Sequence, residues 1–200
     1  NSAIKSLPLA LKSYGPDGAW MEGPGYWSYA TRYTAYGLTA LQTALGTDFG
    51  LLKTKGLAQA GNFPIFTAGP RGLYLNFADS GEKGSRRPMP CMFWLARTYD
   101  NPLYAESEHA AITNRSASAQ HVVWYMPPPR QTPQKALDCY FRGPVEIASF
   151  RSAWNDPEAL FVGVKAGYNQ VNHGHLDLGN FELDALGIRW VRDLGSDNYN

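Results

Sequence analysis

The residues of this chain whose types and spacing best suit chemistry lie near its end, where Asn172-His173-Gly174-His175 is followed, after an alternating apolar run, by Asp193-Leu194-Gly195. Residues two apart in a plain strand share a face, so both imidazoles could serve one ion, while Gly174 permits a kink that lets the rings diverge. Histidine and carboxylate ligands at this spacing can meet at a zinc ion. A cluster of this kind equally suits a carbohydrate site. The structural alternatives are a turn role for Asn172 and, for Asp193, a hairpin-end carboxylate that caps backbone amides. No HExxH motif and no carboxylate base adjoins the histidines, which argues against a zinc hydrolase.

A second concentration of candidate groups is aromatic. Tyr26, Trp27, Tyr29, Tyr33 and Tyr36 fall within one short stretch, and on residue type alone they either pack on a helix or stack on sugar. Asp79, Glu82, Lys83, Arg86 and Arg87 form a polar stretch that reads as a solvated loop able to reach an acidic polysaccharide. His109 and His121 have no ligand-spaced partner and read as surface or satisfied core histidines. Arg151 and Trp154 read as a strand arginine paired with a carboxylate and a core tryptophan.

The elements that must position these groups change character along the chain. Trp27, Ala30, Tyr33, Tyr36, Gly37, Leu41 and Leu45 recur at threes and fours, which predicts an amphipathic helix from Tyr26 to about Leu45, stopped by Gly46. Residues 3–14 read as the tail of an apolar helix entering a turn at Gly15-Pro16-Asp17-Gly18. Further helical pattern covers 48–61, 89–99, 101–113 and 116–125, with Leu73 to Phe77 as a short strand among them. Pro127 to Pro133 is a stiff extended connector. Beyond it the period becomes two, and strands are predicted at 137–141, 145–150, 159–165, 178–185 and 188–192, with turns at Arg142-Gly143-Pro144, Asn155-Asp156-Pro157 and Leu186-Gly187. The expected organisation is a helical domain over 1–126, a proline-rich connector over 127–135 and a β-sandwich domain over 136–200. Each end stops without a closing element, so the chain reads as a piece of a larger protein.

Composition narrows the function classes. With 44% hydrophobic residues over 200 positions the chain can bury a substantial core. A net charge of +1 with one adjacent basic pair, Arg86-Arg87, is not the footprint of a nucleic-acid binder. No apolar run approaches the roughly 18 residues of a membrane span. Cys91 and Cys139 lack a CxxC partner, leaving a disulfide and a buried free thiol both open. Asn114-Arg115-Ser116 fits a glycosylation sequon.

Three segments together carry a family resemblance: Glu22-Gly23-Pro24-Gly25-Tyr26-Trp27 at a helix start, Ala148 to Trp154 before Asp156-Pro157, and Asn172-His173-Gly174-His175 running through Phe181 and Trp190 to Asp193-Leu194-Gly195. In order and distance, over most of positions 14 to 200, the chain resembles the heparinase II/III-like polysaccharide lyases, which include oligoalginate lyases. The resemblance implies an α+β fold, the C-terminal part of an (α/α) toroid followed by the first strands of an antiparallel β-sandwich. It implies β-elimination on a uronic-acid-containing glycan, heparin-like or alginate-like. Such chemistry requires a base for the C5 proton, an acid for the departing glycosidic oxygen and donors that neutralise the uronate carboxylate.

By the same resemblance Tyr26 protonates the leaving group and could also act as base, given a phenol pKa lowered from its usual value of about 10. Asn172 would donate to the carboxylate and His173 would face the same subsite, with Glu22, Trp27 and Tyr199 against substrate. His175 and Asp193 would bind a structural zinc that pins the loop carrying Asn172 and His173. The family's further histidine ligand has no counterpart after His175. Its upstream toroid asparagine or histidine has none before Tyr26 except Asn1. The resemblance also implies a periplasmic or secreted protein acting on an acidic polysaccharide, with a noncatalytic carbohydrate-binding or structural fragment as the alternative.

Overall fold

The computed structural model describes residues 2–81, 87–113 and 117–196. Among the described residues six α-helices, α1 (Ser2–Leu11), α2 (Gly23–Leu45), α3 (Asn62–Phe66), α4 (Cys91–Tyr99), α5 (Pro102–Thr113) and α6 (Ala119–Val123), precede five strands, β1 (Cys139–Phe141), β2 (Val145–Arg151), β3 (Phe161–Gly167), β4 (Phe181–Ala185) and β5 (Ile188–Val191). The fold is thus mixed, a helical region followed by an antiparallel sheet. No described helix is long and apolar enough to cross a membrane.

Two compact units divide the chain, one of residues 1–18, 28–62 and 87–135, the other of residues 19–27, 63–86 and 136–200. A break at Lys135 and Ala136 falls at the end of the proline-rich segment. Two earlier segments nevertheless belong with the sheet, because their side chains and backbone find their partners there.

In the first unit α2 ends where Gly46, at φ 68°, returns its N–H to the Gln42 carbonyl. The helix buries Thr31, Ala35 and Leu38, while Tyr33 and Leu45 are more than half exposed. The expected apolar stripe is therefore rotated. Small residues face inward because Tyr14 inserts there, its Oη 2.9 Å from Thr31 Oγ1 and 3.3 Å from Thr34 Oγ1. The helix expected at 48–61 is instead two 3-10 turns, Leu51–Lys53 and Leu57–Gln59, because Gly50 and Gly56 enter them at φ 78° and 89°. No side chain fits at Gly56, where a Cβ would stand 1.9 Å from the Tyr14 carbonyl oxygen.

The second unit is built on a sheet of order β1-β2-β3-β4-β5, every neighbour antiparallel. Its buried face carries Phe141, Val145, Ile147 and Phe161, with Ser149 and Arg151 on β2 and Lys165 on β3 beside them, and Glu182 and Asp184 on β4. The opposite face carries Tyr140, Phe150, Phe181, Ile188 and Trp190, all about half exposed. Leu73 to Phe77 is not a strand, apart from one isolated bridge between Ala68 and Tyr74. Beside two backbone bonds to Thr67 and Gly69, side chains take several of its backbone groups: Arg189 donates to the Leu73 and Tyr74 carbonyls, and Asn76 N–H donates to Glu182 Oε2 at 3.0 Å. Arg189 in turn pairs with Glu182 and Asp184 at 2.9 and 2.6 Å. Burying these charges is tolerable because each is paired and hydrogen-bonded.

Arg151 is buried too, but its partners are the Phe66 and Ala68 carbonyls at 3.0 and 3.1 Å and the Trp154 ring at 3.6 Å. Carbonyl oxygens and an indole face thus replace the expected carboxylate, and desolvation holds its pKa down to about 10. Trp154 is half-buried rather than in the core and donates to the Ala136 carbonyl.

Candidate active site

The Glu-Gly-Pro-Gly-Tyr segment forms the first turn of α2 because its glycines let it lie against the turn Ala78–Ser80. A Cβ on Gly23, which sits at φ 85°, would stand 2.5 Å from Ser80 Cβ, and one on Gly25 would be 3.1 Å from the Ser80 carbonyl oxygen. The same contact supplies a cap: Gly25 N–H donates to Ser80 Oγ at 2.9 Å, satisfying one of the amides that every helix start leaves open. Tyr26 follows directly.

On the ring of Tyr26 lies that of His173, centroid to centroid 4.5 Å with 25° between planes. His173 occupies the left-handed region at φ 54°, a conformation that costs a non-glycine residue energy and is found at constrained positions. Its Nδ1 is 2.5 Å from Asp79 Oδ2, and the other oxygen of that carboxylate is 3.1 Å from Nε2 of His175. An ionised carboxylate only accepts, so His173 donates from Nδ1 and His175 from Nε2. In the neutral ring of His173 the lone pair is then on Nε2.

The other sequence candidates fare differently. Asn172 is exposed beside His173. Glu22 is half-buried and accepts from Trp20 Nε1 at 3.1 Å. Trp27 is completely buried, so it offers no face to a sugar and belongs to the core. Tyr199, the sequon at 114–116 and Glu82, Lys83 and Arg86 lie outside the described residues.

Asp193 accepts from the Gly195 amide at 2.6 Å and from Asn180 Nδ2, while its own N–H donates to Glu182 Oε1 at 3.1 Å. It caps the end of β5 as a structural carboxylate would. With His175 on Asp79 and Asp193 on Asn180 and Gly195, no group of three His, Cys, Asp or Glu among the described residues could hold a metal ion. Among the described residues His175 and Asp193 thus have different partners.

The remaining histidines are satisfied locally. His121, buried, accepts from the Ser118 amide through Nδ1 at 2.9 Å and so donates from Nε2 to Glu108 at 2.8 Å. His109 meets the Met126 carbonyl at 2.8 Å. Neither cysteine forms a disulfide, Cys91 being buried and Cys139 half-buried.

Asp79 is the residue that sequence reasoning placed in a solvated loop. Its partner His173 is 94 positions away, and no local pattern announces that pairing.

No protein-family model matches the chain, and no curated protein does. Among solved structures it is similar to a heparinase III gene product solved with methylated lysines, with a TM-score of 0.64 at 19% identity over 98% of this chain. The chain spans 28% of the length of that protein. At this identity the likeness establishes the fold, which is heparinase-like.

Proposed function

We propose that the protein carrying this chain is a polysaccharide lyase that cleaves a uronic-acid-containing glycan by β-elimination. The observation that supports it most is the stack of Tyr26 on His173, with Asp79 behind the imidazole. In this reading His173 Nε2 takes the proton from C5 of the uronate. The electron pair forms the C4–C5 double bond, the C4–O bond breaks, and the Tyr26 hydroxyl protonates the departing oxygen. Asn172, exposed next to His173, donates to the carboxylate so that charge developing at C5 is tolerated. A heparinase-like fold and the family resemblance of the Glu-Gly-Pro-Gly-Tyr and Asn-His-Gly-His segments support the same chemistry.

The test is ultraviolet absorbance of the unsaturated product when the full-length protein meets alginate or heparan sulfate. We expect signal with one of them and a loss of at least about 100-fold in Tyr26→Phe, the scale of a lost proton-transfer group, with the fold retained. Full activity in Tyr26→Phe would remove that residue from its role. Binding without any unsaturated product would favour a noncatalytic carbohydrate scaffold.

A further inference from the structure

We infer that the Ala78–Ser80 turn is the positioning element of this site, with Asp79 doing by hydrogen bonds what a zinc ion was expected to do for the histidine loop. The inference rests on the lyase reading for its kinetic consequence only. Three observations within one turn carry it. Asp79 spans both histidines, one with each carboxylate oxygen. Its neighbour Ser80 accepts from Gly25 N–H, one residue before Tyr26. The turn is itself anchored, since Phe77 and Ala78 are fully buried and Ser80 N–H returns to the Phe77 carbonyl at 3.3 Å.

A single rigid turn therefore fixes the two rings that stack on each other. Ser80 sets where α2 begins and hence where the phenol projects. Asp79 sets the tautomer and plane of His173, much as an outer carboxylate orients a histidine in other catalytic and metal sites. Ala78, at φ 51°, lies in the left-handed region that a non-glycine residue seldom adopts. Asp79 is a positioning residue: it acts through His173 and not on substrate.

The experiment compares wild type with Asp79→Ala, Asp79→Asn and Ser80→Ala in the full-length protein. Ring-nitrogen correlation spectra, recorded without any sugar, should show His173 as the Nδ1–H form and His175 as the Nε2–H form in wild type. Both should revert to a mixture of tautomers in Asp79→Ala. Should that variant not fold, Asp79→Asn gives the same readout, because a carboxamide has one oxygen to accept from two rings and at least one ring must change. Ser80→Ala should speed exchange of the Gly25 amide at least about tenfold. In the elimination assay kcat should fall about 100-fold in Asp79→Ala with KM within about threefold, the scale of a misplaced reacting group.

Identical ring signals in wild type and Asp79→Ala would overturn the inference. So would one equivalent of tightly held zinc that is lost in His175→Ala. A wild type inactive on both glycans sinks the lyase reading alone, since the spectra need no substrate.

Discussion

The two units treat buried polarity in opposite ways. In the helical unit most buried ionisable groups are held neutral: burial raises the Tyr14 pKa to about 12 and pushes the Cys91 thiol and the Tyr104 phenol up as well. In the sheet unit the buried groups are charges, Lys165, Glu182, Asp184, Arg189 and Arg151, and several of them satisfy backbone that belongs to no regular element. The difference teaches where irregular structure can persist. Residues 67–80 make few ladder bonds of their own, so buried charges hold them, and the turn bearing Asp79 and Ser80 extends from that segment.

Removing a charge from the sheet unit should break the comparison most severely. Glu182→Ala leaves Arg189 with one carboxylate fewer and strips the acceptor from the Asn76 and Asp193 amides. We expect a loss of about 3–5 kcal/mol in denaturant unfolding, the range for removing one partner of a buried ion pair. A loss below about 1 kcal/mol would mean that the network does not hold the segment.

In the helical unit the corresponding experiment is alkaline titration. Tyr14 has a folded pKa of about 12, above its unfolded value near 10, so its contribution is fully present below pH 10 and is lost as pH rises from 10 to 12. Two pKa units correspond to about 3 kcal/mol at most. The stability advantage of wild type over Tyr14→Phe should therefore shrink across that window. An advantage that stays constant to pH 12 would show that the phenol ionises freely.

Smaller effects sharpen the contrast. Ser118→Ala removes the residue at the start of α6 whose Oγ lies 3.0 Å from His121 Nδ1 and should cost about 1 kcal/mol. For the thiols, Cys139 should react with a chromogenic disulfide reagent in the native protein while Cys91 reacts only after unfolding. Equal native rates would show that the helical core opens readily.

Much of this was legible in residue order. The period-two runs after the proline-rich segment became strands at nearly the expected positions, and the threes and fours of α2 gave a helix, because each pattern is local. What was not legible depended on distant partners. Leu73 to Phe77 has strand composition, but Arg189 and Glu182 claim several of its backbone groups. The stretch 48–61 has helical spacing, yet two glycines at positive φ divide it. Trp27, left open in the sequence between packing and sugar stacking and set against substrate by the resemblance, is fully buried. At the site, His173 stands out by residue type and spacing and Tyr26 only through a family resemblance, while Asp79 lies in a stretch of polar residues indistinguishable from a solvated loop.

The central claim is that Tyr26 and His173 form one reacting unit. A double-mutant cycle on kcat/KM with Tyr26→Phe, His173→Ala and the pair tests it directly, since residues that act together lose their contribution once. The account predicts that the double variant is no more than about threefold slower than the worse single variant. Losses that multiply in full would contradict it.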